Sequence, residues 1–354
     1  MQVEPEFLQP EHLQDVNVKY SNTKATKYQE ALSVWLSHHY ISPPKKFSIT
    51  PLPGDASTRR YYRVKFKNSS LITMQLQPFL DLGDNLPFLQ VQKHLSKLGI
   101  SVPKIFDCDP KSGIILLQDL GDETLLKSLE LVSKKQEQVA WFKKAIDLLL
   151  KMQTKATRNT APIDAYGLYF DEEKLMWEVR FTLAHFYEGY LAQNIPAKEL
   201  KIIEKYFAWI CRTLASQTWV FTHRDYHSRN IMVCEDELFM IDFQDARMGC
   251  AQYDLASLLR DSYFQLDEDI LCELLNYYLS KTQNTTEDFM KIFDLMSIQR
   301  NFKAIGSFAS FYIKRKDARY LKFIGNTFEN IRRNLLKFSE LDELRRLLYR
   351  YYYF

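Results

Sequence analysis

The chain has 354 residues, enough for two lobes, and 46% of them are hydrophobic, enough for sizeable cores. Its 47 basic and 44 acidic residues leave a formal charge of +3, which gives no case for a nucleic-acid or membrane surface. Five scattered cysteines (Cys108, Cys211, Cys234, Cys250, Cys272) without Cys-x-x-Cys spacing argue against a disulfide framework or zinc site, and the polar N-terminus and the lack of any ~20-residue apolar run point to a cytoplasmic protein.

Residues 1–25 read as a peripheral segment. Residues 26–39 place Ala31, Leu32, Val34, Trp35 and Leu36 among polar residues, which predicts an amphipathic helix ended by Pro43 and Pro44. Strands are expected over residues 47–52, 60–66 and 71–76; the second alternates Tyr62, Val64 and Phe66 against Tyr61, Arg63 and Lys65. Between the first two, residues 53–57 form a small polar turn. It closes a plain hairpin, or it lays backbone N–H groups at Gly54 and Ser57 over phosphates. Arg59, Arg60 and Arg63 lie close by and can add positive charge, but alternating faces keep them from all entering one cleft.

A helix over residues 88–98, closed by Gly99, and strands over 102–106 and 113–118 complete a five-stranded antiparallel sheet with one helix. Residues 26–118 are therefore expected as a small first lobe. Asp119, Leu120, Gly121 and Asp122 break the pattern, and residues 119–354 form a mainly helical second lobe. Helices are expected over 136–153, 172–192, 197–215, 254–263, 268–280, 286–314 (in one piece or two) and 320–338. The aromatics Trp177, Phe181, Phe186 and Tyr187 read as core, or as a stacking surface for a sugar ring.

Short paired strands interrupt the helices at residues 220–222, 231–234 and 238–241. Asp225 and Asn230 then sit on a loop before one strand, and Asp242 just beyond its hairpin partner. Three oxygen-bearing side chains around one point suit a hard cation that holds a polyphosphate. Singly, Asp and Asn are turn formers, but the ordered set argues for a site. The i, i+4 spacing of His223 and His227 suggests a zinc helix only if the stretch is helical, which Asp225 and Asn230 argue against.

HRDYHSRN (residues 223–230) followed by IDF (241–243) resembles the HxDxxxxN…D signature of the aminoglycoside phosphotransferase and choline kinase superfamily. GDASTRRYYRV (54–64), LLQDLGDETL (116–125), IDFQDARMGCAQYDLASLL (241–259) and QRNFKAIGSFA (299–309) extend the similarity over about residues 26–335. Together they resemble the bacterial branch that contains the anomeric N-acetylmuramate/N-acetylglucosamine kinases.

The resemblance implies an α+β, bilobal, protein-kinase-like fold and an ATP- and Mg²⁺-dependent kinase for a sugar hydroxyl. It implies Asp225 as catalytic base, Asn230 and Asp242 as Mg²⁺ ligands, and His223 and Asp254 as supports of the loop. Residues 116–121 become the lobe hinge. Backbone groups of Gln118, Asp119 and Leu120 face an adenine edge there, and Leu116 and Leu117 help make an apolar slot. His227, Arg300 and Lys303 are candidate substrate residues, though the last two read first as a solvated basic helix face. One departure stands out. The superfamily's third-strand lysine and its partner helix glutamate are missing, for the strand reads LITMQLQ (71–77) and the helix offers only Gln90 and Gln92. Choline, ethanolamine, aminoglycoside and nucleoside kinases share this fold and stay open as alternatives, as does a nucleotide-binding pseudokinase. The oligomeric state is left open.

Overall fold

The computed structural model describes residues 47–52, 59–67, 69–158, 161–282 and 286–352, without the side chains of 286 and 287. The peripheral segment, the helix expected over 26–39 and the turn with Gly54 and Ser57 lie outside the described residues.

An antiparallel sheet opens the described chain: β1 (Ser48–Pro51), β2 (Arg60–Lys65), β3 (Ser70–Gln75), β4 (Ile105–Asp109) and β5 (Ile114–Gln118), in the order β1-β2-β3-β5-β4. β4 starts three residues later than expected, because Pro103 has no N–H for a ladder; its carbonyl instead accepts from Gln92 Nε2 at 2.8 Å. α1 (Pro87–Lys97) begins on proline and buries Phe88, Leu89, Val91 and Leu95 with Ile72, Met74, Ile115 and Leu117 of the sheet. Each such side chain contributes about 1.5–3 kcal/mol. The other face of the sheet holds a smaller cluster: Tyr62, Val64, Ile114 and Leu116.

Helices follow: α2 (Leu125–Leu131), α3 (Lys135–Thr157), α4 (Glu172–Thr182) and α5 (Ala197–Ala215). The single helix expected over 172–192 widens into π-helical turns at Leu183–Tyr190. Two ribbons come next. β6 (Trp219–Thr222) pairs with β9 (Arg247–Cys250), and β7 (Ile231–Cys234) with β8 (Glu237–Met240). β9 was not expected, since RMGC has no alternating pattern. α6 (Gln252–Leu259), α7 (Glu268–Ser280), α8 (Thr286–Arg315), α9 (Ile324–Leu335) and α10 (Asp342–Arg350) close the chain. α6 stops short of Tyr263 because Asp261 turns back to the loop after β6. Among the described residues no helix is long and apolar enough to cross a membrane.

α8 is one unbroken helix of 30 residues and the centre of the helical part. Phe293, Leu295, Met296, Ile298, Phe302, Ile305 and Ala309 bury it on nearly all sides. A Cβ on Gly306 would lie 2.7 Å from Thr182 Cα, so glycine is what lets α8 approach α4 this closely. Burial of α8 removes one expectation: Arg300 and Lys303 do not form a solvated face. α1 joins the two parts. Phe88 stacks on Phe243 (centroids 5.0 Å), and Gln90 Oε1 accepts the Asp164 N–H at 3.2 Å.

Candidate active site

The loop after β6 is held by two buried carboxylates. Asp254, near the start of α6, accepts the N–H groups of His223 (2.6 Å) and Arg224 (2.9 Å). Burial pushes its carboxyl up to about 7. Asp261 accepts the N–H and hydroxyl of Ser228 (2.9 and 2.6 Å) and the N–H of Tyr263 (2.9 Å). These acceptors hold a strained backbone, for Arg224 has φ +82°, which costs an L-residue about 1–2 kcal/mol. His223 donates Nε2–H to the Ile241 carbonyl at 3.0 Å, and burial lowers its pKa and keeps it neutral. It ties the loop to the strand that delivers Asp242.

Asp225 lies at the bottom of this loop. Lys303 Nζ is 2.9 Å from its Oδ1, and Arg300 Nη2 is 3.6 Å from the same atom. Burial alone would raise this carboxyl, but Lys303, Arg224 and Arg300 hold it well below the usual carboxylate range. No residue among those described donates to Oδ2, so that oxygen is open to a hydroxyl. Arg300 is itself fixed, its Nε donating to Ser257 Oγ at 2.6 Å.

The Asn230 side chain donates Nδ2–H to the Asp225 backbone carbonyl (3.0 Å), and the Asn230 backbone carbonyl accepts the Ile241 N–H (3.0 Å). With its donor end committed, the amide presents an oxygen. Asp242 follows β8 in the left-handed region (φ +66°). Arg59 Nη2 reaches its Oδ1 at 2.9 Å, and Gln244 Nε2 donates to the same oxygen at 3.1 Å. Arg59 Nη1 also donates to Gln244 Oε1 at 2.6 Å. A cation, the Arg59 guanidinium, thus already rests on this carboxylate.

Asp225, Asn230 and Asp242 line one cavity of about 500 Å³, together with Arg59, His227, Arg300 and Lys303. His227 sits edge-on to Tyr263 (5.0 Å), and burial pushes it well below the ordinary histidine range. No group of three or more His, Cys, Asp or Glu able to hold a metal occurs among the described residues.

The hinge differs in detail from expectation. Gln118 N–H donates to the Lys104 carbonyl at 2.9 Å, so it is not available to a base. The Asp119 carboxylate is gripped by Arg63 (Nε–Oδ2 2.7 Å, Nη2–Oδ1 3.0 Å), which also reaches Asp122 (2.8 Å) and the Gly121 carbonyl (3.0 Å). The Asp119 carbonyl and Leu120 N–H make no hydrogen bond within the described residues. Leu117 shares the inner face with Ile72 and Met74, while Leu116 faces the opposite cluster, as strand alternation demands. Only Leu117 can help form a slot there. Arg63 serves the hinge, while Arg59 serves Asp242. The inner face of β3 carries Ile72 and Met74, and Gln90 and Gln92 are spent on Asp164 and Pro103, so none of these supplies a charge to phosphates.

Several contributors escaped the sequence reading. Arg224 pairs with Asp245 (3.3 Å) and approaches the buried Glu178 (4.0 Å), so both carboxylates bear on the loop. The Arg229 guanidinium lies over Tyr263 (4.8 Å) and Tyr320 (5.4 Å). Two arginines inside an eight-residue loop were the available signal. Asp261 and Glu178 had none, because the partners that tie them to the loop, Ser228 and Arg224, are remote in sequence.

A family model described as "Phosphotransferase enzyme family" matches residues 48–293. An N-acetylmuramate/N-acetylglucosamine kinase of Pseudomonas aeruginosa is 30% identical over 313 residues, covering 86% of this chain and 88% of that protein. One of the same name from Neisseria meningitidis is 28% identical over 328 residues, covering 90% and 95%. Among solved structures, a choline/ethanolamine kinase family protein of Mesorhizobium loti shares the fold with TM-score 0.61 at 11% identity, over 90% of this chain and 98% of that one. An ADP-bound aminoglycoside phosphotransferase does so with TM-score 0.58 at 16% identity, over 85% and 96%.

Proposed function

Because the chain belongs to the phosphotransferase enzyme family, and is accordingly a kinase acting on an alcohol, we propose that it phosphorylates an amino sugar. The acceptor is the anomeric hydroxyl of N-acetylmuramate or N-acetylglucosamine, the donor is Mg²⁺–ATP, and the setting is cell-wall recycling in the cytoplasm. The observation that carries this reading is the charge of the cavity beside Asp225. Arg59, Arg224, Arg229, Arg300, Lys303 and Arg315 line it against Asp225, Asp242 and Asp245. Such a lining receives phosphates and an acidic or neutral sugar. A quaternary ammonium or a polycationic aminoglycoside would meet like charge there.

Asp225 orients the acceptor hydroxyl on Oδ2 and takes its proton as the oxygen attacks the γ-phosphorus and the bond to the ADP oxygen breaks. A strong base is not required, because phosphoryl transfer is catalysed chiefly by positioning and charge neutralisation. Asn230 and Asp242 are the residues that would hold Mg²⁺, through one neutral and one anionic oxygen. When bound, the ion would partly neutralise the charge of the nucleotide phosphates. Arg59 then exchanges Asp242 for phosphate oxygens. The Asp119 carbonyl and Leu120 N–H take the adenine edge, and His227 stays neutral beside the sugar.

The test is incubation with ATP, Mg²⁺ and a panel of amino sugars, sugars and amino alcohols, with ADP release and phosphorus NMR of the product. The expected product is a sugar 1-phosphate. Turnover of choline or an aminoglycoside with none on amino sugars would overturn the substrate assignment.

A further inference from the structure

We propose that Lys303 is a catalytic residue of the transfer: its ammonium moves from Asp225 Oδ1 to a non-bridging oxygen of the phosphoryl group in flight, supplying from the helical half the cation that β3 lacks. This rests on the phosphotransferase reading above. The inner face of β3 is apolar at Ile72 and Met74, so no cation reaches the phosphates from it. Around Asp225, by contrast, three cations converge. Arg224 is shared with Asp245 and Glu178, and Arg300 is tied to Ser257. Lys303 has only Asp225 as side-chain hydrogen-bond partner among the described residues, on a flexible four-carbon stem.

A buried lysine–aspartate pair is weak evidence for a structural role, since the cost of desolvating two charges offsets most of their attraction. The place of Lys303 fits a chemical one. Its side chain is 12% exposed and lines the cavity at the same carboxylate that orients the nucleophile. A hydroxyl held on Oδ2 and attacking in line brings the phosphoryl group next to the carboxylate. An ammonium 2.9 Å from Oδ1 then needs only a rotation of its stem to reach an equatorial oxygen. Close packing of α8 on α4 at Gly306 fixes the helix from which it reaches. Atoms balance without a further reactant. The acceptor oxygen–phosphorus bond forms, the phosphorus–ADP oxygen bond breaks, the acceptor proton goes to Asp225, and Lys303 keeps all three of its protons.

The experiment uses the full chain and three variants, Lys303→Gln, Lys303→Met and Lys303→Arg. Affinities for Mg²⁺–ADP and for a non-hydrolysable Mg²⁺–ATP analogue are measured by calorimetry, and kcat and sugar KM by ADP release. For Lys303→Gln the expected results are a kcat loss of about 10²–10³-fold and a sugar KM changed less than about 3-fold. The ATP analogue should bind about tenfold more weakly, with ADP binding unchanged. Lys303→Arg should recover part of kcat. If Lys303→Gln does not fold, Lys303→Met carries the same comparison. Equal loss for analogue and ADP, or a raised sugar KM with kcat intact, would overturn the assignment. A wild-type protein that binds neither nucleotide would sink the phosphotransferase reading itself, a result distinct from either of these.

Discussion

Replacing Arg63 by methionine isolates the hinge clamp. Arg63 gives two hydrogen bonds to Asp119, at 2.7 and 3.0 Å, and one to the Gly121 carbonyl at 3.0 Å. Its contact with Asp122 counts for little, because that side chain is 70% exposed. The Asp119 side chain is only 6% exposed, so Arg63→Met leaves a carboxylate almost out of water without its cation. The expected cost is about 3–5 kcal/mol. In Arg63→Met/Asp119→Asn no charge is stranded, and the cost should fall to about 1–2 kcal/mol. The pH dependence gives a second check. In the wild type, burial raises the Asp119 pKa, but the bonds from Arg63, Ser70 and the Gly121 N–H together outweigh it and hold it below its ordinary value. That group therefore stabilises the fold above about pH 4, and the benefit is lost as pH falls through its depressed pKa. Without Arg63 only the Ser70 and Gly121 bonds oppose burial and the pKa rises, so the gap between wild type and variant should narrow toward pH 4. Urea unfolding of the four proteins of the cycle at pH 7 and pH 4.5 measures all of this. A single-variant cost under about 1 kcal/mol, or additive losses in the double variant, would refute the reasoning.

Asp225→Asn should lower kcat about 10²–10⁴-fold with the far-ultraviolet circular dichroism unchanged, since an amide cannot take the proton. Near-wild-type ADP release on the true acceptor would remove it as base. Asn230→Ala and Asp242→Ala should each raise the Mg²⁺ concentration for half-maximal turnover about tenfold or more, about 1.4 kcal/mol per factor of ten. An unchanged Mg²⁺ titration in both would take them out of the metal site. Gly306→Ala should cost about 1–3 kcal/mol in thermal or urea unfolding, because the new methyl group meets Thr182 backbone 2.7 Å away. A neutral result would mean that α4 and α8 separate easily.

The sequence was enough for the five-stranded sheet, its single helix and the helical remainder, because periodicity and turn chemistry are local. It also placed Asp225, Asn230 and Asp242 on a loop and at a strand exit, since a stretch of eighteen residues carries all three. What it could not decide was which distant groups meet them. Lys303 and Arg300, three apart on a helix, read first as a solvated basic face and only second as substrate residues. Only the burial of α8 on nearly every side turns both toward Asp225. Arg59 and Arg63 lie four residues apart in one basic stretch, yet one reaches Asp242 and the other the hinge. Asp261 and Glu178 carried no pattern at all, because a buried carboxylate is recognised by its partners, and those partners come from elsewhere in the chain. Local chemistry fixes the elements and the reacting loop. The charges that tune the loop are set by tertiary packing, since electrostatic effects depend on distance and burial rather than on order along the chain.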